Sequence, residues 1–153
     1  MKMTLQLLSI FCLISILFCF WECKKDNSQL NITLYDKPLS VIQSSIQGKW
    51  KLEYEKGGIC SICVSDFHNK NYLRQFTNDN RIVKSNNDTI ITDTSINWIY
   101  ETGTFPYKLT YTINFNDKQN VPWVYNVYSK VNDSLILHDH SDDPVYYHFS
   151  KQN

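Results

Sequence analysis

Apolar and polar side chains alternate along most of this chain from residue 49 onward. The clearest run has an apolar set and a polar set: Tyr107, Leu109, Tyr111, Ile113 and Phe115, against Lys108, Thr110, Thr112 and Asn114. Successive side chains of a β-strand point to opposite faces, so this pattern predicts a strand with one buried face. The composition agrees, because the chain has no alanine, ten tyrosines and four tryptophans, and aromatic residues suit a pleated surface.

Turns rich in asparagine and aspartate separate about eight such segments, which predicts an antiparallel meander. The predicted strands are residues 49–55, 71–77, 81–85, 89–92, 107–115, 121–131, 135–138 and 145–151. In the first of them, Trp50, Leu52 and Tyr54 are expected to share the apolar face. A sheet with one apolar face must bury it by closing into a barrel or folding into a sandwich.

One helix is predicted before the strands. Leu39, Ile42 and Ile46 recur at helical spacing within residues 37–47, and Gly48 is placed to end the helix. The fold class is therefore all-β, an up-and-down eight-stranded antiparallel barrel with a short N-terminal helix. Residues 37–153 are enough for one domain.

The N-terminus has the pattern of an export signal. Lys2 precedes a nearly uninterrupted apolar run over residues 5–21, and Cys23 follows at its boundary. We predict a lipoprotein-type signal peptide over residues 1–22, with acyl chains such as palmitate on Cys23, and a polar tether over residues 23–36. The alternative is an uncleaved membrane anchor, although the run is at the lower limit of length for a membrane-spanning helix. Either way, the domain is held at a membrane in the cell envelope.

Charge offers no reason to expect nucleic acid as a partner. The chain carries 15 basic and 15 acidic residues, so its formal net charge is zero. With only four glycines it has no phosphate-binding loop, and no serine has the glycine frame of a nucleophile elbow. We expect no catalytic residues, no cofactor and a monomer.

The start of the predicted barrel resembles a known family. Gly48-Lys49-Trp50 is similar to the GxW signature that opens lipocalin barrels. Further segments agree with the layout of lipocalin-like lipoproteins from Bacteroidetes-type bacteria: Cys23-Lys24-Lys25-Asp26, Gly57-Gly58-Ile59, residues 132–137 and residues 143–149. The resemblance implies a barrel over residues 38–151 and an outer-membrane lipoprotein, periplasmic or surface-exposed. In the family an arginine near the last strand covers the tryptophan, and here only Lys151 is available for that place.

Two cysteines are candidates for chemistry. Cys60 and Cys63 form a CxxC pair, but no helix pattern follows them as a redox site would require. A local disulfide is the simplest interpretation outside the cytoplasm, with free thiols, a redox function and metal binding as alternatives. A zinc site would need further ligands. His68, His138 and His140 have no regular metal-binding spacing, so we predict no metal site.

The aromatic residues of the strands have two interpretations. They line a cavity for a small hydrophobic ligand, or they fill the interior, because an eight-stranded barrel is just wide enough to be packed solid by side chains. The candidate ligand-binding residues are Tyr54, Phe76, Trp98, Tyr111, Trp123 and Tyr125. The first interpretation makes the protein a binding module, and the second makes it a structural or interaction lipoprotein of the envelope.

Overall fold

The computed structural model describes residues 31–103 and 108–153 of the 153-residue chain. Eleven strands and one helix make up this part. They are, in order, β1 (Asn31–Thr33), α1 (Leu39–Ile46), β2 (Gly48–Gly57), β3 (Cys60–Asp66), β4 (Tyr72–Phe76), β5 (Arg81–Asn86), β6 (Thr89–Ser95), β7 (Asn97–Thr102), β8 (Leu109–Asn116), β9 (Pro122–Val131), β10 (Ser134–Asp139) and β11 (Val145–Gln152). The prediction of an all-β domain with one short helix is confirmed.

All strands belong to one antiparallel sheet. Nine of them follow the order β6-β5-β4-β2-β11-β10-β9-β8-β7, while β3 pairs with β2 and β1 with β9. The outermost strands, β6 and β7, are consecutive in the chain and are joined by Ile96 alone. The sheet must therefore curl until its two edges approach each other.

Asn80, in the turn between β4 and β5, forms hydrogen bonds to residues at the junction of β6 and β7. The Ile96 N–H donates to the Asn80 carbonyl at 2.9 Å, and the Asn80 side-chain amide donates back to the Ile96 carbonyl at 2.9 Å. The Trp98 indole N–H donates to the Asn80 side-chain oxygen at 2.5 Å. Beyond this corner, the described residues show no ladder between β6 and β7, so the sheet is a curled half-barrel with an open seam.

The structure has more strands than the eight that the sequence predicted, although each predicted segment is a strand. The additional strands are β1, β3 and β7. Every residue of β3 is exposed and four of the six residues of β7 are exposed, so neither strand carries the full alternation of a half-buried strand. The predicted tether is also too long. Asn31–Thr33 pair with β9, and Leu34 and Tyr35 are buried, because this segment extends the sheet beside β9 where β8 has ended.

One end of the half-barrel is closed by α1. The helix runs from Leu39 to Ile46, inside the predicted residues 37–47, and Gly48 follows with a φ of 119° that favours glycine. The Trp50 side chain is fully buried, and its indole N–H donates to the Ile46 carbonyl at 2.6 Å. The described residues include no helix whose length and hydropathy would let it cross a bilayer.

Two lysines lie over the buried tryptophan. The Nζ atoms of Lys151 and Lys130 are each 5.9 Å from the centre of the Trp50 ring. Lys151 is also the register partner of Trp50 on the neighbouring strand. Each ammonium is therefore within the distance at which a cation is attracted to an aromatic face.

An irregularity in β2 changes the predicted face of Tyr54. Leu52 pairs with Phe149 and Tyr54 pairs with His148, so Glu53 is an extra residue on the β2 side. Such a bulge inverts the alternation. Trp50 and Leu52 face the interior as predicted, but Tyr54 faces outward, and its neighbour Glu55 turns inward beside Tyr147. The prediction that Tyr54 shares the apolar face is wrong.

Candidate functional site

An arginine lies inside the curled sheet. Arg74 sits between Tyr72 and Phe76 on β4 and pairs with Trp50, so alternation directs it to the interior. Its side chain is only 8% exposed. The guanidinium carbon lies 4.8 Å from the ring centre of Tyr125 and 4.9 Å from those of Tyr147 and Phe149. Three aromatic rings therefore surround a buried cation.

A second cation lies directly opposite. Lys84 on β5 is the register partner of Arg74 on β4, so the two side chains share the inner face. The Lys84 ammonium is 4.0 Å from the centre of the Trp123 ring. Burial lowers the pKa of Lys84 to about 8, and repulsion by Arg74 adds to this, while Asp117 opposes it. Like charges placed opposite each other across two strands are destabilising.

A cavity of about 260 Å³ adjoins the two cations. Its walls combine apolar, aromatic and charged residues: Leu52, Glu55, Phe67, Tyr72, Leu73, Arg74, Lys84, Ser85 and Ile91. Burial raises the pKa of Glu55, and attraction to Arg74 opposes that rise. Within the described residues no carboxylate forms an ion pair with either cation.

Some polar atoms around the cations lack a hydrogen bond. They are Nη1 of Arg74 and the hydroxyl of Thr92, which is the register partner of Lys84. The buried Tyr125 hydroxyl lies within hydrogen-bonding reach of the Arg74 side chain, which lowers the pKa of Tyr125 slightly against the effect of burial. All three side chains are more than nine-tenths buried. Burial also raises the pKa of Tyr125 and of Tyr147, which keeps both phenols protonated. A buried polar group without a partner costs free energy, and of these three residues Arg74 also lines the cavity.

The stability of the ligand-free protein should reflect this arrangement. Raising the pH from 7 to 9.5 is expected to increase the free energy of unfolding, because the pKa of Lys84 is lowered from 10.5 to about 8 by folding. In this window the unfolded chain binds more protons than the folded one, so stability rises with pH. We expect a gain of roughly 1–2 kcal/mol after allowing for solvent screening. Urea unfolding at each pH measures the free energy of unfolding. In Lys84→Met this free energy should rise less with pH, because the lysine's contribution is missing. Equal slopes in the two proteins would contradict the assignment.

A larger groove of about 520 Å³ lies on the outer face. Tyr54, His148 and Ile136 form one row across β2, β11 and β10. The Tyr54 and His148 rings stack with their centres 4.1 Å apart, and Tyr146 lines the same groove. Burial lowers the pKa of His148. The groove wall is thus aromatic and mostly uncharged.

A hairpin stapled by a disulfide stands beside the groove. Cys60 and Cys63 are joined through their sulfur atoms at the start of β3. The apolar side chains near this hairpin tip face solvent, with Ile59 97% and Ile62 84% exposed. Ile59 and Ile62 therefore place two exposed apolar side chains close together at the hairpin tip.

The structure separates the six aromatic residues that the sequence grouped together. Trp123 and Tyr125 lie inside with ring centres 5.9 Å apart, beside the two cations. Phe76 is buried in the core but lies near the end of α1. The remaining three lie elsewhere: Trp98 at the Asn80 corner, Tyr111 against Tyr100, and Tyr54 in the outer groove.

The histidines considered as metal ligands do not converge. His138 is fully buried, with its ring 5.9 Å from that of Tyr128, whereas His140 is exposed. The Asp139 carboxylate accepts hydrogen bonds from the Val145 N–H and the Ser141 hydroxyl, both at 2.9 Å, and so orders a turn. Among the residues described, no three histidine, cysteine or acidic side chains form a group suited to a metal ion.

Sequence reasoning missed the charged residues of the cavity. Arg74 could have been found, since strict alternation places it between the inward-facing Tyr72 and Phe76. The same argument applies to Lys84, two residues after the buried Ile82. Glu55 could not have been found in this way, because its inward direction depends on the bulge at Glu53.

Comparison with known proteins identifies no relative. No protein-family model, no curated protein and no solved structure matches this chain. The interpretation of the cavity therefore depends on its own geometry.

Proposed function

We propose that this protein is a membrane-tethered, lipocalin-like binding module that holds a small hydrophobic ligand inside its curled sheet. The observation that supports this most strongly is the cavity lined by Arg74 and Lys84, since neither cation has an ion-pair partner among the described residues and Nη1 of Arg74 is buried without a hydrogen bond. Binding pockets for small molecules are mainly apolar walls with a few placed polar groups. Leu52, Phe67 and Ile91 supply the apolar wall here.

The rest of the proposal concerns the anchor and the compartment. Cys23 carries the lipid that holds the domain on the envelope, as in an outer-membrane lipoprotein, and the segment before Asn31 lies outside the described residues. Several acyl chains give durable attachment, whereas one gives marginal binding. The domain acts as a monomeric carrier without catalysis. Mass spectrometry of membrane-extracted protein tests the anchor, and a mature N-terminus at Cys23 with its acyl mass is the expected result.

The location of the ligand can be tested with two matched substitutions. Glu55 lines the interior cavity and its neighbour Lys56 lines the outer groove, so Glu55→Trp and Lys56→Trp place the same bulky ring in the two candidate sites. A neutral, environment-sensitive dye is titrated against each variant and the wild type. We expect Glu55→Trp to abolish dye binding and Lys56→Trp to leave it unchanged. Absence of dye binding to the wild type would refute the carrier function.

The outer surface supports a second candidate function, an interaction protein of the envelope. The larger groove and the exposed Ile59 and Ile62 lie on the side of the sheet away from the cavity. Hot spots of protein interfaces are commonly aromatic residues in such positions. This function predicts that an envelope protein crosslinks to the hairpin and that Ile59→Ser with Ile62→Ser removes the crosslink. Unchanged crosslinking in the double variant would argue against it.

A further inference from the structure

We infer that the ligand of the interior cavity is an amphiphile with a single carboxylate, which binds between Arg74 and Lys84 while its apolar part occupies the remaining space. This inference rests on the proposed binding function and specifies the chemical class of the ligand. Its basis is the position, burial and charge of the residues around the cavity.

The first argument is the local charge. Arg74 and Lys84 contribute two positive groups to one cavity wall, and Glu55 contributes one negative group. Neither cation has a carboxylate partner within the described residues. Asp117 attracts Lys84 from outside the lining, but buried charges are normally paired, and the lining itself lacks one negative group. A ligand with one anionic group would supply it.

The second argument is the geometry of the guanidinium. Aromatic rings surround Arg74, which leaves its edge as the direction for hydrogen bonds. Nη1 of Arg74 is buried without a partner, although the side chain lines the cavity. The planar fork of an arginine matches the two oxygens of a carboxylate. The Thr92 hydroxyl, which is buried opposite Lys84, is a further donor next to this wall.

The third argument is the remaining wall. Leu52, Phe67 and Ile91 line the same cavity and offer no charge to a ligand. The volume of about 260 Å³ is slightly below the usual range of about 300–1,000 Å³ for ligand pockets. A short acyl chain fits this combination better than a large polycyclic molecule does.

The test compares two ligands that differ only in the head group. Octanoate and 1-octanol are titrated by calorimetry into the full chain held in amphipol, with protein-free amphipol as the blank. We expect octanoate to bind roughly 10- to 100-fold more tightly than octanol, as a charge-assisted hydrogen bond to a buried group would give. Equal affinities would overturn the carboxylate inference and leave the binding function intact. If neither ligand binds, both fall.

Substitutions assign the preference to residues. Arg74→Met and Lys84→Met should each reduce octanoate affinity at least tenfold and leave octanol binding nearly unchanged, whereas Arg74→Lys should retain part of the preference. Arg81→Met is the matched control, because Arg81 is an exposed arginine paired with Asp93. An octanoate preference that survives in both Met variants would overturn the assignment.

The pH dependence gives a readout that needs no variant. Octanoate affinity should fall between pH 7 and pH 9.5 as Lys84 loses its proton, while octanol affinity stays constant. The ionisable groups around Lys84 and the cavity are Arg74, Glu55, Asp117, Tyr125 and Tyr147. The raised pKa values of Tyr125 and Tyr147 keep both phenols neutral over this range, whereas the pKa of Lys84, about 8, lies within it. A flat octanoate profile would contradict the role of Lys84, even if the Arg74 variants fail to fold.

Discussion

Replacing Trp50 with alanine is expected to lower the free energy of unfolding by about 3–5 kcal/mol. The indole is fully buried where α1 closes the half-barrel, and its removal leaves a cavity among Ile42, Ile46 and other core residues. It also removes the 2.6 Å hydrogen bond to the Ile46 carbonyl. Lys130 and Lys151 lose the aromatic face over which they lie. Urea unfolding followed by circular dichroism measures the effect.

Two control variants test whether the effect of Trp50→Ala comes from the buried position of this ring. Trp50→Phe keeps a ring in the core but loses the N–H donor, so a smaller loss of about 1–3 kcal/mol is expected. Tyr100→Ala removes a ring that is 57% exposed on β7, and its effect should be much smaller than that of Trp50→Ala. If Trp50→Ala and Tyr100→Ala cost the same, Trp50 does not hold the closed end together.

Gly57→Ala is expected to lower the free energy of unfolding by about 3 kcal/mol. Gly57 ends β2 with a φ of 115°, a conformation that side chains rarely adopt. A Cβ atom at this position would lie 2.5 Å from the Pro144 carbonyl oxygen, so the backbone before β11 would have to move. Thermal or urea unfolding of the variant provides the measurement.

The chain supplies a matched glycine for comparison. Gly48 has a similar φ of 119°, but a Cβ there would meet only the flexible end of Lys151 at 3.6 Å. Gly48→Ala should therefore lower the free energy of unfolding by about 1–2 kcal/mol, through conformational strain alone. A loss at Gly57 no greater than that at Gly48 would show that the close approach to Pro144 has no energetic consequence.

The alternation of apolar and polar residues predicted most of the sheet, because it arises wherever one face of a strand is buried. β8 and β9 each present one apolar face to the core, so their sequences show a period of two, and both were found within a few residues. β3 has every residue exposed and pairs over only a few positions, so burial leaves no pattern in its sequence. The order of the strands also followed from the meander, but the open seam between β6 and β7 did not.

The candidate site was harder to predict than the fold, for a physical reason. A search by aromatic type found Trp123 and Tyr125, whose rings lie against Lys84 and Arg74 but do not line the cavity, and it passed over the two cations themselves. Cations are rare on a buried face, so residue type alone gives no indication that Arg74 and Lys84 face the interior. Pairing distances and bulges arise from contacts between distant segments, and one strand read alone does not contain them.

The extra residue in β2 has a consequence for both sides of the protein. Because Glu53 shifts the parity of the strand, Glu55 takes part in the inner wall and Tyr54 in the outer one. One extra residue thereby lets a single strand contribute to both the interior cavity and the outer groove. Deleting that residue would turn Tyr54 inward and Glu55 outward. The carboxylate in the inner wall and the aromatic ring in the outer groove therefore both depend on the one extra residue in β2.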